Sequence, residues 1–198
     1  MTRRPAALAI AVLTLLLCAS AAVIIRQGHR ILDLESELNP QAGPLPEGLS
    51  LDPFEVQDLS GKPHLIEFGK PGSKPTVLYV LRPGCIWCKR NSRNIALLAS
   101  QAGGRYNFVG LSLAASGLDE FIRRNNIQFP VYVNIPSAVL ARYRLGSTPE
   151  TIVVSSTGRV MKSWSGAYIQ DPIKSDVEKF FALHLPSVAR LNQADEAR

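Results

Sequence analysis

The rhythm of apolar and polar positions changes three times along this chain. From Pro5 to Ile25 the run PAALAIAVLTLLLCASAAVII holds 21 residues without a charge. At about 1.5 Å per helical residue it spans roughly 30 Å, the thickness of a bilayer hydrocarbon core. A buried helix of that length in a soluble domain needs polar residues on one face, and this run has none. Residues 1–25 are therefore expected to form a transmembrane anchor or signal segment. Arg3, Arg4 and Ala19-Ser20-Ala21 also fit a cleaved signal peptide, but the apolar run continues through Val23, Ile24 and Ile25, which favours an uncleaved anchor. Cys18 follows Leu17 rather than a small residue, so it reads as one more apolar residue of the segment.

Over 26–50 the rhythm is lost. Pro40, Gly43, Pro44, Pro46 and Gly48 interrupt regular structure and predict a juxtamembrane linker. From 51 to 185 short alternating elements predict one domain, and 186–198 is expected to be a flexible tail. Phe54, Val56 and Leu59, then Gly61-Lys62, then Leu65, Ile66 and Phe68 predict a small hairpin. Thr76–Leu81, TVLYVL, is a continuous β-branched and apolar run of the kind that forms a buried central strand. Pro83-Gly84 ends it, and helical spacing follows from about Cys85 to Ala102. Further strands are expected at Tyr106–Leu113, Val131–Val133, Thr151–Ser156 and Val160–Gly166, the last two joined at Thr157-Gly158. Helices are expected at Leu118–Asn126, Ser137–Tyr143 and from Asp171 to about Leu185, with Asp171-Pro172 as N-cap and first helical residue. The sum is an α/β fold, a mixed sheet with helices on both faces.

Composition changes this picture little. The net charge is +6, but Lys and Arg are scattered and no basic stripe alternates with aromatics, so nucleic acid is not an expected partner. Arg3 and Arg4 are nearly balanced across the apolar run by Arg26 and Arg30; a short basic start before a long apolar segment still favours export of the C-terminal part.

The chemistry concentrates at Cys85-Ile86-Trp87-Cys88, where the central strand hands over to a helix. A separation of three residues is just under one helical turn, which puts both sulfurs on one side at a spacing a disulfide accepts. Cys85 falls where unpaired backbone N–H groups and the helix dipole favour an anion, so it is the expected attacking thiolate. Cys88, one turn inward, is the expected resolving thiol. A zinc site would need two more ligands; the only other cysteine is Cys18, and His29, His64 and His184 are single and far apart in sequence. No metal or other cofactor is therefore expected. A purely structural disulfide would close a very small loop and stabilise little.

Three segments in order resemble the TlpA/ResA-type thioredoxin-like family, membrane-anchored disulfide oxidoreductases of the bacterial cell envelope. They are PTVLYVLRPGCIWC, LDEFIRRNNIQFPVYVN and GSTPETIVVSSTGRVMKSWSG. The resemblance implies a thioredoxin-like fold over about Leu51 to Leu185 and catalysis by Cys85 and Cys88. It implies a single-pass anchor in the bacterial inner membrane, with the domain in the periplasm or outside. Expected partners are exported proteins with cysteines and a membrane redox partner, with a reducing role in cytochrome or metalloenzyme maturation. It further implies a cis Thr148-Pro149 peptide beside the thiols, otherwise uncommon, whose Thr148 backbone would bind an extended substrate peptide. Trp87 is a candidate for apolar substrate contact.

The chain departs from the family at two positions. Gly84 stands where Trp usually precedes the first cysteine, and Tyr79 stands where thioredoxins bury a carboxylate. Glu150 could substitute for that carboxylate, but as a strand residue it is expected to face solvent. Arg82, Lys89 and Arg90 would add positive potential around Cys85. Alternatives remain: a disulfide-donating oxidant, a Cu(I)-handling protein with paired thiolates, a peroxidase, disfavoured by Arg82 in the place of a hydroxyl residue, or a non-catalytic interaction domain.

Overall fold

The structure, a computed structural model, describes residue 20, residues 43–70 and residues 72–186. The expected anchor, most of the linker and nearly all of the tail lie outside these residues. Among the described residues no helix is long and apolar enough to cross a membrane.

The chain divides into two units, Met1–Ala42 and Gly43–Arg198, and the second holds the fold. Its elements are β1 (Phe54–Gln57), β2 (Pro63–Ile66), β3 (Thr76–Leu81), α1 (Ile86–Ala102), β4 (Asn107–Ser112), α2 (Leu118–Arg124), β5 (Val131–Tyr132), α3 (Ser137–Arg142), β6 (Glu150–Val154), β7 (Val160–Ser165) and α4 (Ile173–Phe181). Strands β5-β4-β3-β6-β7 form one mixed sheet; β1 and β2 form a separate antiparallel hairpin. β3, β4 and β5 run parallel, while β6 and β7 are antiparallel additions beside β3. The reason β3 takes the centre is its composition: Val77 to Leu81 are all fully buried, as a strand covered on both faces requires.

Two cores sandwich the sheet. Val77, Tyr79 and Leu81 point to one side and pack with Cys88, Ile95 and Leu98 of α1, Leu118 and Phe121 of α2, and Val177 and Phe181 of α4. Leu78 and Val80 point to the other side, where Leu45, Leu51, Phe54, Ile66 and Tyr143 cover them. This second layer begins earlier in the chain than expected. Leu45 is buried and its N–H donates to Ser163 Oγ at 3.1 Å. Gly48 N–H donates to the Val160 carbonyl, Val160 N–H to the Leu49 carbonyl and Leu51 N–H to the Gly158 carbonyl, each at 2.8 Å. Residues 45–51 are thus a strap fastened to the β6–β7 hairpin, and the linker expected to run to residue 50 stops short of them.

The last helix also starts differently. Asp171-Pro172 is a cis peptide, Pro172 is the N-cap and Ile173 the first helical residue. Asp171 still serves the helix end, because its Oδ1 accepts the Ser175 N–H at 3.1 Å.

Candidate functional site

The end of β3 and the start of α1 place the dithiol. Cys85 is the N-cap of α1, with extended backbone (φ −74°, ψ 123°). It therefore precedes the first helical turn instead of lying within it. Its N–H donates to the Arg82 carbonyl at 3.0 Å, and its carbonyl accepts the Lys89 N–H at 3.1 Å. With no carboxylate in the first turn of α1, the free N–H groups there are left for the sulfur. Cys85 is half-buried and Cys88 fully buried, and both are free thiols.

Thr148 comes to the dithiol from the loop before β6. The Cys85 thiol donates to the Thr148 carbonyl at 3.3 Å, and Thr148-Pro149 is cis. Burial acts to raise the Cys85 pKa, but hydrogen bonding with the Thr148 side chain and with the Cys88 and Trp87 backbone outweighs it and holds the thiol below its ordinary value. Arg82, Lys89 and Arg90 are exposed and are not among these leading causes. Cys88 moves the other way. Burial pushes it up to about 12, and the nearby Cys85 charge adds to the rise.

Trp87 lies on the outer side of the site, 46% exposed, with the Arg90 guanidinium 5.0 Å above its ring. Ile86 beside it is 55% exposed. Behind Cys88 the core is polar. Tyr79 is fully buried, and its hydroxyl accepts from Asn91 Nδ2 at 3.3 Å. Asn91 Oδ1 accepts the Tyr168 N–H at 3.1 Å, and Asn94 Nδ2 donates to the Tyr168 carbonyl at 2.8 Å. Burial raises Tyr79 well above the ordinary tyrosine value, so it stays neutral. Asn91 and Asn94 escaped the sequence reading. The signal was there, since both fall on the buried 3–4 spacing of Cys88, Ile95 and Leu98.

Glu150 corrects an expectation. It is 1% exposed, not solvent-facing, because β6 is covered by a core on each face. Its register partner is Val80, so its side chain belongs to the strap side of the sheet, opposite α1 and Cys88. Ser163 Oγ donates to Oε1 at 3.5 Å, and Oε2 has no partner. Burial pushes its pKa up to about 8. It does not stand in for the missing carboxylate on the thiol side; that place is filled by Tyr79.

Fold and dithiol together define a thioredoxin-like protein-disulfide oxidoreductase. The chain is similar to the thiol-disulfide oxidoreductase ResA of Geobacillus thermodenitrificans (strain NG80-2), with 24% identity over 139 residues covering 66% of this chain and 76% of the relative. The thioredoxin domain of a thiol-disulfide oxidoreductase from Bacteroides vulgatus matches at TM-score 0.56 and 18% identity, covering 69% of this chain and 99% of that one. StoA from Bacillus subtilis matches at TM-score 0.51 and 16% identity, over 67% and 98% of the two chains. At these identities the solved structures speak for the fold. No family model matches the chain.

Proposed function

We propose that this protein reduces disulfides in exported proteins, serving cytochrome or metalloenzyme maturation, with Cys85 as attacking thiolate and Cys88 as resolving thiol. The observation that carries the mechanism is the opposed tuning of the pair: Cys85 is half-exposed with a lowered pKa, while Cys88 is buried and held at about 12. The Cys85 thiolate attacks one sulfur of the substrate disulfide, forming a mixed disulfide and releasing the first substrate thiolate, which takes a proton. The mixed disulfide carries no charge on Cys85, so one cause of the raised Cys88 pKa disappears. Cys88 then gives up its proton and attacks Cys85 Sγ, and the second substrate thiolate leaves and is protonated. The protein pair loses two electrons and the substrate gains them. A membrane redox partner would restore the dithiol.

Thr148 and Pro149 in this reading present backbone to the substrate peptide, and Trp87 contacts its apolar side chains. Residues 1–25 would hold the domain at the outer face of a bacterial inner membrane as a single-pass anchor. The similarity to ResA supports the exchange chemistry.

One observation favours the opposite direction. A stabilised Cys85 thiolate lowers the free energy of the dithiol form, which makes the disulfide a better oxidant. The reduction potential decides, with Trp87 fluorescence followed in graded thiol buffers. A value near about −270 mV supports the reductase, and one near about −120 mV makes the protein a disulfide donor. In parallel, Cys88→Ser should accumulate the mixed disulfide and Cys85→Ser should not form it. Absence of any reversible transition removes the oxidoreductase mechanism.

A further inference from the structure

The stretch of chain that carries Cys85 is charged with one sign. From Phe68 to Leu118 the sequence contains no Asp or Glu, and this stretch includes β3, the dithiol and all of α1. Arg82, Lys89, Arg90 and Arg93 are all exposed, and none is ion-paired among the described residues. Elsewhere some exposed cations are paired, Arg124 with Glu120 at 2.6 Å and Arg142 with Asp52 at 2.8 Å, while Lys74, Arg123 and Arg144 are, like these four, in no ion pair among the described residues. Arg90 and Arg93 lie one turn apart on α1, and Arg90 is held over the Trp87 ring. The same surface is apolar at its centre, through Ile86 and Trp87. Four unpaired cations on the chain segment that also exposes an aromatic favour a partner that brings negative charge and apolar contact together.

We infer that the preferred substrate is an extended segment whose cysteines are flanked by Asp or Glu, with an apolar side chain placed against Trp87. This deepens, and rests on, the exchange function proposed above. The carboxylates would reach Arg82, Lys89, Arg90 and Arg93 while the substrate sulfur meets Cys85. Charges within about 8 Å act with little screening at physiological salt, and complementary charge raises encounter rates and rejects like-charged partners.

The test compares two synthetic peptides with the same intramolecular disulfide and the same leucine beside it, one flanked by Glu and one by Lys. The full chain, reduced beforehand, is mixed with each, and kcat/KM is read at low and high salt. The Glu peptide should react at least about 10-fold faster at low ionic strength, and the ratio should shrink at roughly 0.5 M salt. Arg90→Glu combined with Arg93→Glu should bring the ratio towards one or below it. Because the ratio is taken on one preparation, changes in thiol acidity or in the folded fraction cancel. Equal rates, or a faster Lys peptide, in the unaltered chain overturn the inference while leaving exchange intact. Failure to reduce either peptide overturns the exchange reading itself.

Discussion

Cys85, capping α1 from outside, and Cys88, inside its first turn, differ in ionisation because their surroundings differ. Cys85 is stabilised as thiolate by the Thr148 side chain and by the backbone N–H groups of Trp87 and Cys88, whereas Cys88 is enclosed by the core. In Cys88→Ser, alkylation of Cys85 by iodoacetamide should rise with pH to a plateau, with its midpoint below the ordinary thiol value of 9.0. A midpoint at or above that value would show that burial outweighs the hydrogen bonds. Glu150 gives a second titration with the opposite consequence. Its folded pKa of about 8 exceeds the ordinary 4.5, so between those values the folded state keeps a proton that the unfolded state releases. Stability should therefore fall as pH rises from about 4.5 to about 8 and stay level above, by on the order of 5 kcal/mol at most. Glu150→Gln should flatten that part of the urea-midpoint profile and be more stable than the parent at alkaline pH. Parallel profiles would show that Glu150 is not the group responsible. The burial of Glu150 was not legible in ETIVV, because a strand with a core on each face has no polar side and its pattern does not reveal this.

Among the elements, those with a strong period were the legible ones. The continuous apolar run of β3 and the 3–4 spacing of α1 gave both elements to within a residue. Ends were less legible, since they depend on single backbone angles: Cys85 caps α1 from outside, and α4 begins two residues after Asp171. The cis Thr148-Pro149 bond came from family resemblance, as nothing in the local composition distinguishes it from a trans one. The β4–β5 pair makes a further test. A Cβ on Gly110 would meet Val131 Cγ2 at 2.8 Å and Cγ1 at 3.0 Å. Gly110→Ala should cost about 1–3 kcal/mol by overpacking. Val131→Ala in the same chain should recover part of that loss in a denaturation cycle, and an additive double variant would show that the strands do not meet so closely.

The domain is built on a five-stranded sheet with a core on each side, and the strap belongs to the second core together with the β1–β2 hairpin. Leu98 is fully buried in the first core and Leu51 is 4% exposed in the other. Leu98→Ala and Leu51→Ala should each lower stability by about 2–5 kcal/mol. Both should shift a single thermal transition, followed by far-ultraviolet circular dichroism. A separate early transition in Leu51→Ala would mean that the strap and hairpin side melts on its own.

The strap has a mechanical meaning. A tension entering the domain at residue 43 first loads the Leu45 bond to Ser163 on β7 and then the contacts between residues 48–51 and residues 158–160. β3, which ends at the dithiol, lies two strands further in, with β6 between it and β7. Strain on the incoming chain is thus taken up at the rim of the sheet, and the catalytic strand is mechanically insulated from it.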